Sequence, residues 1–441
     1  MDDKVKYLLS LRAVRERAKL VGEAADAGKL THFDVHEERL DVAAEYVKRV
    51  IERDFGPANY HTIPPHGRWQ HFDVGRIPRI GALLEEWKKF GCDDLESTRR
   101  LIDLFFVSVL LDAGAGDHWR YVEPRTETKY ERSEGIAVAS LYLFREGAFR
   151  SGGEMAAGRG MCVDGKGLQD LKTEELARGF QISDTNPMLG VESRANLLRS
   201  LGTSLLSQPE LFGKEGRPGN VVDYMKTTSP DGTTLDILTF WDILQTLLIP
   251  IWPQDRTVVN GQALGDAWPL STLKTVSAST TTDETNFIQP FHKLTQWLAY
   301  SLTVPFTRIL HHKWVNTDAL TALPEYRNGG LFVDLGVLNL KPASLERGLA
   351  TAANSGIAKG ENAGLPAFAA GDDVVVEWRA MTLVLVDRLY KLVLQKMAGV
   401  ELSMAQLLEA GTWKAGREVA RERRPVGKGS PILVVSDGTV F

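Results

Sequence analysis

Cysteine is scarce in this 441-residue chain. The two present, Cys92 and Cys162, stand far apart and outside any Cys-x-x-Cys pair. That excludes a disulfide framework and offers no zinc-site spacing. Positive charge is not in excess either. Lysine and arginine number 52 against 57 aspartates and glutamates, for a formal net charge of −5. A general nucleic-acid binder needs a basic footprint, so that class is set aside, whereas a local pocket for an anionic ligand stays open. The opening stretch, MDDKVKYLLSLRAVRERAKL, has no long apolar core of a signal peptide and is too charged to span a membrane. The expected setting is the cytoplasm, with neither membrane nor nucleic acid as partner and with oligomeric state undetermined. A Gly-Lys-Ser/Thr phosphate loop, a Gly-x-Ser-x-Gly elbow, the kinase motif set and a Cys-centred nucleophile are all missing. Any chemistry is therefore expected from carboxylates and their neighbours, without a metal or an organic cofactor.

What is present is apolar periodicity. Hydrophobic residues make up 43% of the chain and charged residues 25%, enough for a sizeable core. KYLLSLRAVRERAKLVGEAADAG sets Leu8, Leu11, Val14, Ala18 and Val21 on one helical face and stops at Gly28. LDVAAEYVKRVIERDFG repeats the pattern up to Gly56, and GALLEEWKKFG is helical again. LESTRRLIDLFFVSVLLDAGAG turns apolar nearly all round, which predicts a buried helix. Short β pieces interrupt: WRYVEPRTETKY reads as a hairpin, Asn260-Gly261 is a two-residue hairpin turn, and PILVVSDGTVF reads as a strand and an Asp-Gly turn. The fold class expected is mainly α, a large helical domain over 1–441 with small hairpins and a short C-terminal strand. A division into 1–250 and 251–441 is the alternative, and segments 271–286 and 351–373 read as mobile loops.

Several polar groupings stand out. In LLDAGAGDHWRY, Asp112 ends the buried helix and Trp119 follows its glycines. The stretch reads either as a glycine-rich helix stop or as a pocket wall where a ligand nears the backbone. PPHGRWQHFDVG gathers His66 and Arg68 in a proline-bounded loop, suited to an anionic ligand or simply pinned by Trp69 and Phe72. Its histidines lack the partner set of a metal site. In PFHKLTQWLAYSL, His292, Gln296 and Tyr300 recur every four residues, with Lys293 and Trp297 alongside. Such a stripe on an apolar helix lines a cavity or satisfies buried partners. Arg132 and Glu134 precede one buried helix, and Glu377 and Arg379 lie in another. Local ion pairs explain them by default; one shared polar centre is the alternative. Finally, LPEYRNGGLFVDLGVL runs a carboxylate, a phenol, a guanidinium and an amide into an apolar element. Pro324 is read as starting its helix, with Glu325, Tyr326 and Arg327 in the opening turn.

Taken together, VRERAKLV, RWQHF, LLDAGAGDHWRY, RSEGIAVASL, FHKLTQWLAYSL, LPEYRNGGLFVDLGVL, VVEWRA, GTWKAGRE and SDGTVF resemble the uracil catabolism protein 4 family of fungi and bacteria. That resemblance implies a pathway in which uracil becomes its ribonucleotide, the ring is opened and urea eventually appears. LLDAGAGDHW and LTALPEYRNGGLFVDLGVL are also similar, locally, to the core segments of the queuosine salvage nucleotide N-glycosylases. This second likeness implies a DNA-glycosylase-like helical core and assigns catalytic positions to Glu325 and Asp112. Where those proteins have Asp and Val-Pro-Gln, this chain has Glu325 and Asn-Gly-Gly.

The expected substrate is a ring-opened uridine nucleotide, ribosylurea 5′-phosphate, whose C1′–N bond is hydrolysed to urea and ribose 5-phosphate. Cleavage passes through an oxocarbenium-like state, which a carboxylate beside C1′ stabilises. Glu325 takes that role and Asp112 the ribose hydroxyls, while Trp119 or Trp297 walls the sugar. Arg68, Arg132 or Lys293 holds the phosphate. His66, Glu134, His292, Gln296, Tyr300, Tyr326, Arg327, Glu377 and Arg379 complete the expected binding residues. The alternatives are an amidohydrolase acting on the ureido carbonyl and a non-catalytic partner of the ring-opening enzyme.

Overall fold

The computed structural model describes residues 2–112, 118–152, 160–254, 256–277, 281–357 and 360–435. The expected turn in SDGTVF and the glycines of LLDAGAGDHW lie outside them. The fold is mainly α, with strands of two or three residues in two-stranded sheets. No helix among the described residues is long and apolar enough to cross a membrane.

The described chain divides into two compact units that interleave in sequence. The first takes residues 2–66, 254–293 and 318–435; the second takes 67–253 and 294–317. Sequence periodicity finds helices but does not say which helices share a core, so this interleaving has no local signature.

In the first unit the long helix Asp373–Lys396 packs on the helices Leu11–Asp26 and Leu40–Asp54. Leu8, Leu11, Val14, Ala18 and Val21 are all buried, as their spacing predicts. The single helix expected there is two, Asp3–Leu8 and Leu11–Asp26. Ser10 breaks it by taking extended geometry and accepting the Ala13 amide at 3.2 Å, a local N-cap that ends one helix and starts the next. The Asn260-Gly261 turn joins Val258–Val259 to Gln262–Ala263, with φ of 50° and 77°, the pair of positive values that a type I′ hairpin requires. Leu433–Val435 pairs with Ala367–Ala369, in parallel. Ser271–Ser277, expected as loop, is helical. Its start is fixed by Asp373, which accepts the Ser271 amide at 2.8 Å and the Ser271 hydroxyl.

In the second unit the helix Asp94–Leu110 is buried on nearly every side. Asp93 caps its start by accepting the Glu96 amide at 2.7 Å. Asp103, wholly inside, is matched by Arg217 at 2.7 Å and by the Gly219 amide at 2.7 Å, as a buried carboxylate must be. The expected hairpin is present as Arg120–Val122 and Lys129–Glu131. It leads into the buried helix Arg132–Arg145.

Candidate functional site

In the first unit the polar row of LPEYRNGG is a helix cap. The helix starts two residues later than expected, at Tyr326 and not at Pro324. Glu325 is the N-cap: its two carboxylate oxygens accept the Arg327 amide at 2.7 Å and the Asn328 amide at 2.6 Å. The free N–H groups and partial positive charge of a helix start favour an anion there. Burial nonetheless pushes the Glu325 carboxyl above its ordinary value, against the opposing pull of those amides, Lys293 and Arg327. Asn328 is 2% exposed. Its Nδ2 donates to the Leu323 carbonyl at 2.9 Å, while its Oδ1 has no protein donor.

The two glycines that follow serve packing. A Cβ on Gly329 would stand 2.8 Å from Thr382 Oγ1 and from the Trp378 ring, and one on Gly330 would press on Pro431. Trp378 in turn donates its indole N–H to the Gly329 carbonyl at 3.1 Å. Tyr326 is 43% exposed. Arg327 stacks on its ring at 4.8 Å and donates to the Lys428 carbonyl at 2.9 Å.

Asp266 organises the neighbouring residues. Its carboxylate meets Arg379 through two bonds of 2.8 Å and accepts the Lys293 amide at 3.0 Å. Its backbone carbonyl accepts the amides of Phe291 and His292. Arg379 also donates from Nε to the Pro324 carbonyl at 3.2 Å and lies over the Phe291 ring at 4.0 Å. One buried ion pair thereby ties Lys293 to the residue preceding Glu325. The guanidinium holds the Asp266 carboxyl well below the usual carboxylate range despite its burial. Sequence reading missed Asp266, since GQALGDAWPL offers only a lone acid after a hairpin.

His292 is not on the helix with Gln296 and Tyr300. It has φ of 46°, and the helix begins at Lys293. The expected four-residue stripe is therefore broken at its first member. His292 Nε2 donates to the Leu8 carbonyl at 2.8 Å, and burial pushes the ring's pKa down. Glu377 and Arg379 do not form a pair. Glu377, fully buried, accepts the amides of Thr31, His32 and Phe33 at 2.7–3.1 Å and the Thr272 hydroxyl. His66 meets Glu409 at 2.7 Å; it belongs to the first unit, while Arg68, two residues on, belongs to the second.

The second unit holds its own polar cluster around Arg68, which lies on a short helix, Arg68–Phe72, where a loop was expected. The Arg68 side chain is fully buried. It reaches Asp112 at 2.7 Å, the Ser108 hydroxyl at 2.8 Å, the Ser108 carbonyl at 2.9 Å and the Ser133 carbonyl at 3.2 Å. Burial lowers its pKa, while Asp112 and Glu134 oppose that shift. Gly67 is needed because the backbone crosses Ser301 closely: an added Cβ would lie 3.1 Å from its Cα. Trp297 lies under the Arg68 guanidinium at 5.4 Å, its indole N–H buried without an acceptor. Gln296 and Tyr300 are buried on the same helix. Trp119 is wholly inside, donating to the Phe180 carbonyl at 2.8 Å and packing against Gly135. Arg132 opens the helix Arg132–Arg145 with φ of 54°, and both it and Glu134 are half-buried.

With this geometry in place, the class follows from comparison. The chain belongs to the family described as "Protein of unknown function (DUF1688)", whose model matches residues 7–441. It is 47% identical over 440 residues to Protein urg3 of Schizosaccharomyces pombe, covering 99% of each chain. It is 44% identical over 448 residues to Uracil catabolism protein 4 of Lachancea kluyveri, covering 100% of each. The family expected from the quoted segments is thus the one found.

Proposed function

We propose that this protein is a hydrolase of uracil catabolism that cleaves the C1′–N bond of ribosylurea 5′-phosphate, giving urea and ribose 5-phosphate. The pathway comes from the name of the relative in Lachancea kluyveri. The observation that carries the reaction is Glu325: a half-buried carboxylate, fixed by two backbone amides and raised toward neutrality by burial.

A carboxylate held this rigidly beside C1′ stabilises the positive charge that develops as the C1′–N bond lengthens. Its raised pKa also suits it to take a proton from the attacking water. Water then adds its oxygen to C1′, the bonding pair leaves with the ureido nitrogen, and a proton is delivered to that nitrogen. The proton taken up by Glu325 balances the one delivered, so urea leaves neutral. Asn328 Oδ1, a buried acceptor three residues away, is assigned to a ureido N–H. Lys293, whose charge acts on Glu325, is assigned to the phosphate or the ribose oxygens. Asp112 is given no part, because its carboxylate is held by Arg68.

The test is to incubate the purified protein with ribosylurea 5′-phosphate. Equimolar urea and ribose 5-phosphate are expected; ammonia without urea would favour attack on the ureido carbonyl.

A further inference from the structure

Arg17 lies in the VRERAKLV stretch, to which the proposed reaction gives no role. Its helix, Leu11–Asp26, buries all but 8% of the residue. A buried guanidinium is costly unless a carboxylate or several acceptors match it. Here the match is incomplete. Nη2 donates to Asn286 Oδ1 at 3.0 Å, and the plane lies over the Tyr7 ring at 5.4 Å. Nε is buried with no acceptor, and no described carboxylate reaches the guanidinium.

The nearby acids are engaged elsewhere. Glu16 accepts the Tyr7 hydroxyl at 2.8 Å and stands 3.7 Å from Arg12. Asp283 is paired with Lys4 at 2.7 Å and accepts both the amide and the hydroxyl of Thr285. Asp3 is exposed in the first turn of its helix. Asn286 cannot readily turn away, because its Nδ2 is held by the Asp283 carbonyl at 3.3 Å. Arg17 faces a cavity of about 410 Å³ whose walls include Lys4, Tyr7, Asp283, Thr285 and Asn286.

We propose that this cavity binds a small oxyanion, of the phosphate or the carboxylate class, on the Arg17 guanidinium. The planar fork of arginine suits either class, since both present two coplanar oxygens to its donors. The inference stands apart from the reaction proposed above.

The experiment measures the thermal midpoint of the full chain at constant ionic strength in chloride, in inorganic phosphate and in malonate. Binding to the folded state raises the midpoint by about 1–3 °C at ten times the dissociation constant. The expected result is such a rise with at least one of the two oxyanions, the responding arm fixing the class. Arg17→Met, which keeps the packing on Tyr7, is expected to abolish it. Asn286→Asp is a second variant that keeps the side-chain shape and supplies the missing carboxylate from within. It is expected to remove the oxyanion response. No rise over chloride in the wild type, or an unchanged rise in Asn286→Asp, would overturn the proposal.

Discussion

The carboxylate of Glu325 closes the first turn of the helix that carries Asn328, accepting that residue's amide at 2.6 Å. The same carboxylate is pushed up by burial. A group that caps a helix and is also desolvated does two jobs that pull its protonation in opposite directions, and the two can be separated by substitution.

Glu325→Gln is the first separation. Glutamine keeps the length and one acceptor oxygen, so the cap weakens by about 1 kcal/mol or less, the scale of an N-cap exchange. Loss of a half-buried charge offsets part of that. Urea denaturation is expected to place the variant within about 1 kcal/mol of the wild type. A loss of several kcal/mol would mean that Glu325 acts chiefly as a structural cap.

The pH dependence has a defined sign. The folded-state pKa of Glu325 lies above its ordinary 4.5. The stability contributed by this group is full below 4.5 and is lost as pH rises through the folded value. Activity that uses the ionised carboxylate runs the other way, falling as pH drops through that same folded value. The acid limb of kcat/KM is therefore expected above 4.5, and a limb at or below 4.5 would separate the activity from Glu325.

The pair of Asp266 with Arg379 is expected to behave as one unit. Asp266→Asn or Arg379→Met alone leaves a buried charge uncompensated and should cost about 3–5 kcal/mol. The double variant should lose clearly less than the sum of the two, as measured by a double-mutant cycle in chemical denaturation. Simple additivity would show that the bidentate contact carries no coupling.

Two glycines make a graded test of the helix packing behind Glu325. At Gly329 an added methyl meets side chains, Trp378 and Thr382, which can shift; at Gly416 it would fall on the Arg327 backbone carbonyl, which cannot. Gly329→Ala should cost about 1–3 kcal/mol and Gly416→Ala more. Equal costs, or a reversed order, in equilibrium unfolding would contradict this packing.

The sequence made some of this legible, and the reasons are local. The Asn260-Gly261 turn and the buried run of Asp94–Leu110 announce themselves through residue type and period. So does the oddity of Glu325 to Asn328, although a row of polar residues does not say which one is the cap. What stayed hidden depends on partners far along the chain. Asp266 matters through Arg379, more than a hundred residues away. His292 leaves the helical phase through a positive φ that no flanking glycine marks. Arg68 and His66 are near neighbours in sequence yet belong to different compact units.

The most direct measurement is urea release from ribosylurea 5′-phosphate by the wild type and by Glu325→Gln under identical conditions. The wild type is expected to give urea and ribose 5-phosphate in equal amounts, and the variant to be slower by about 10²–10³-fold, the scale on which removing one transition-state stabilising group acts. No urea from the folded wild type, or equal rates from the two proteins, would contradict the account.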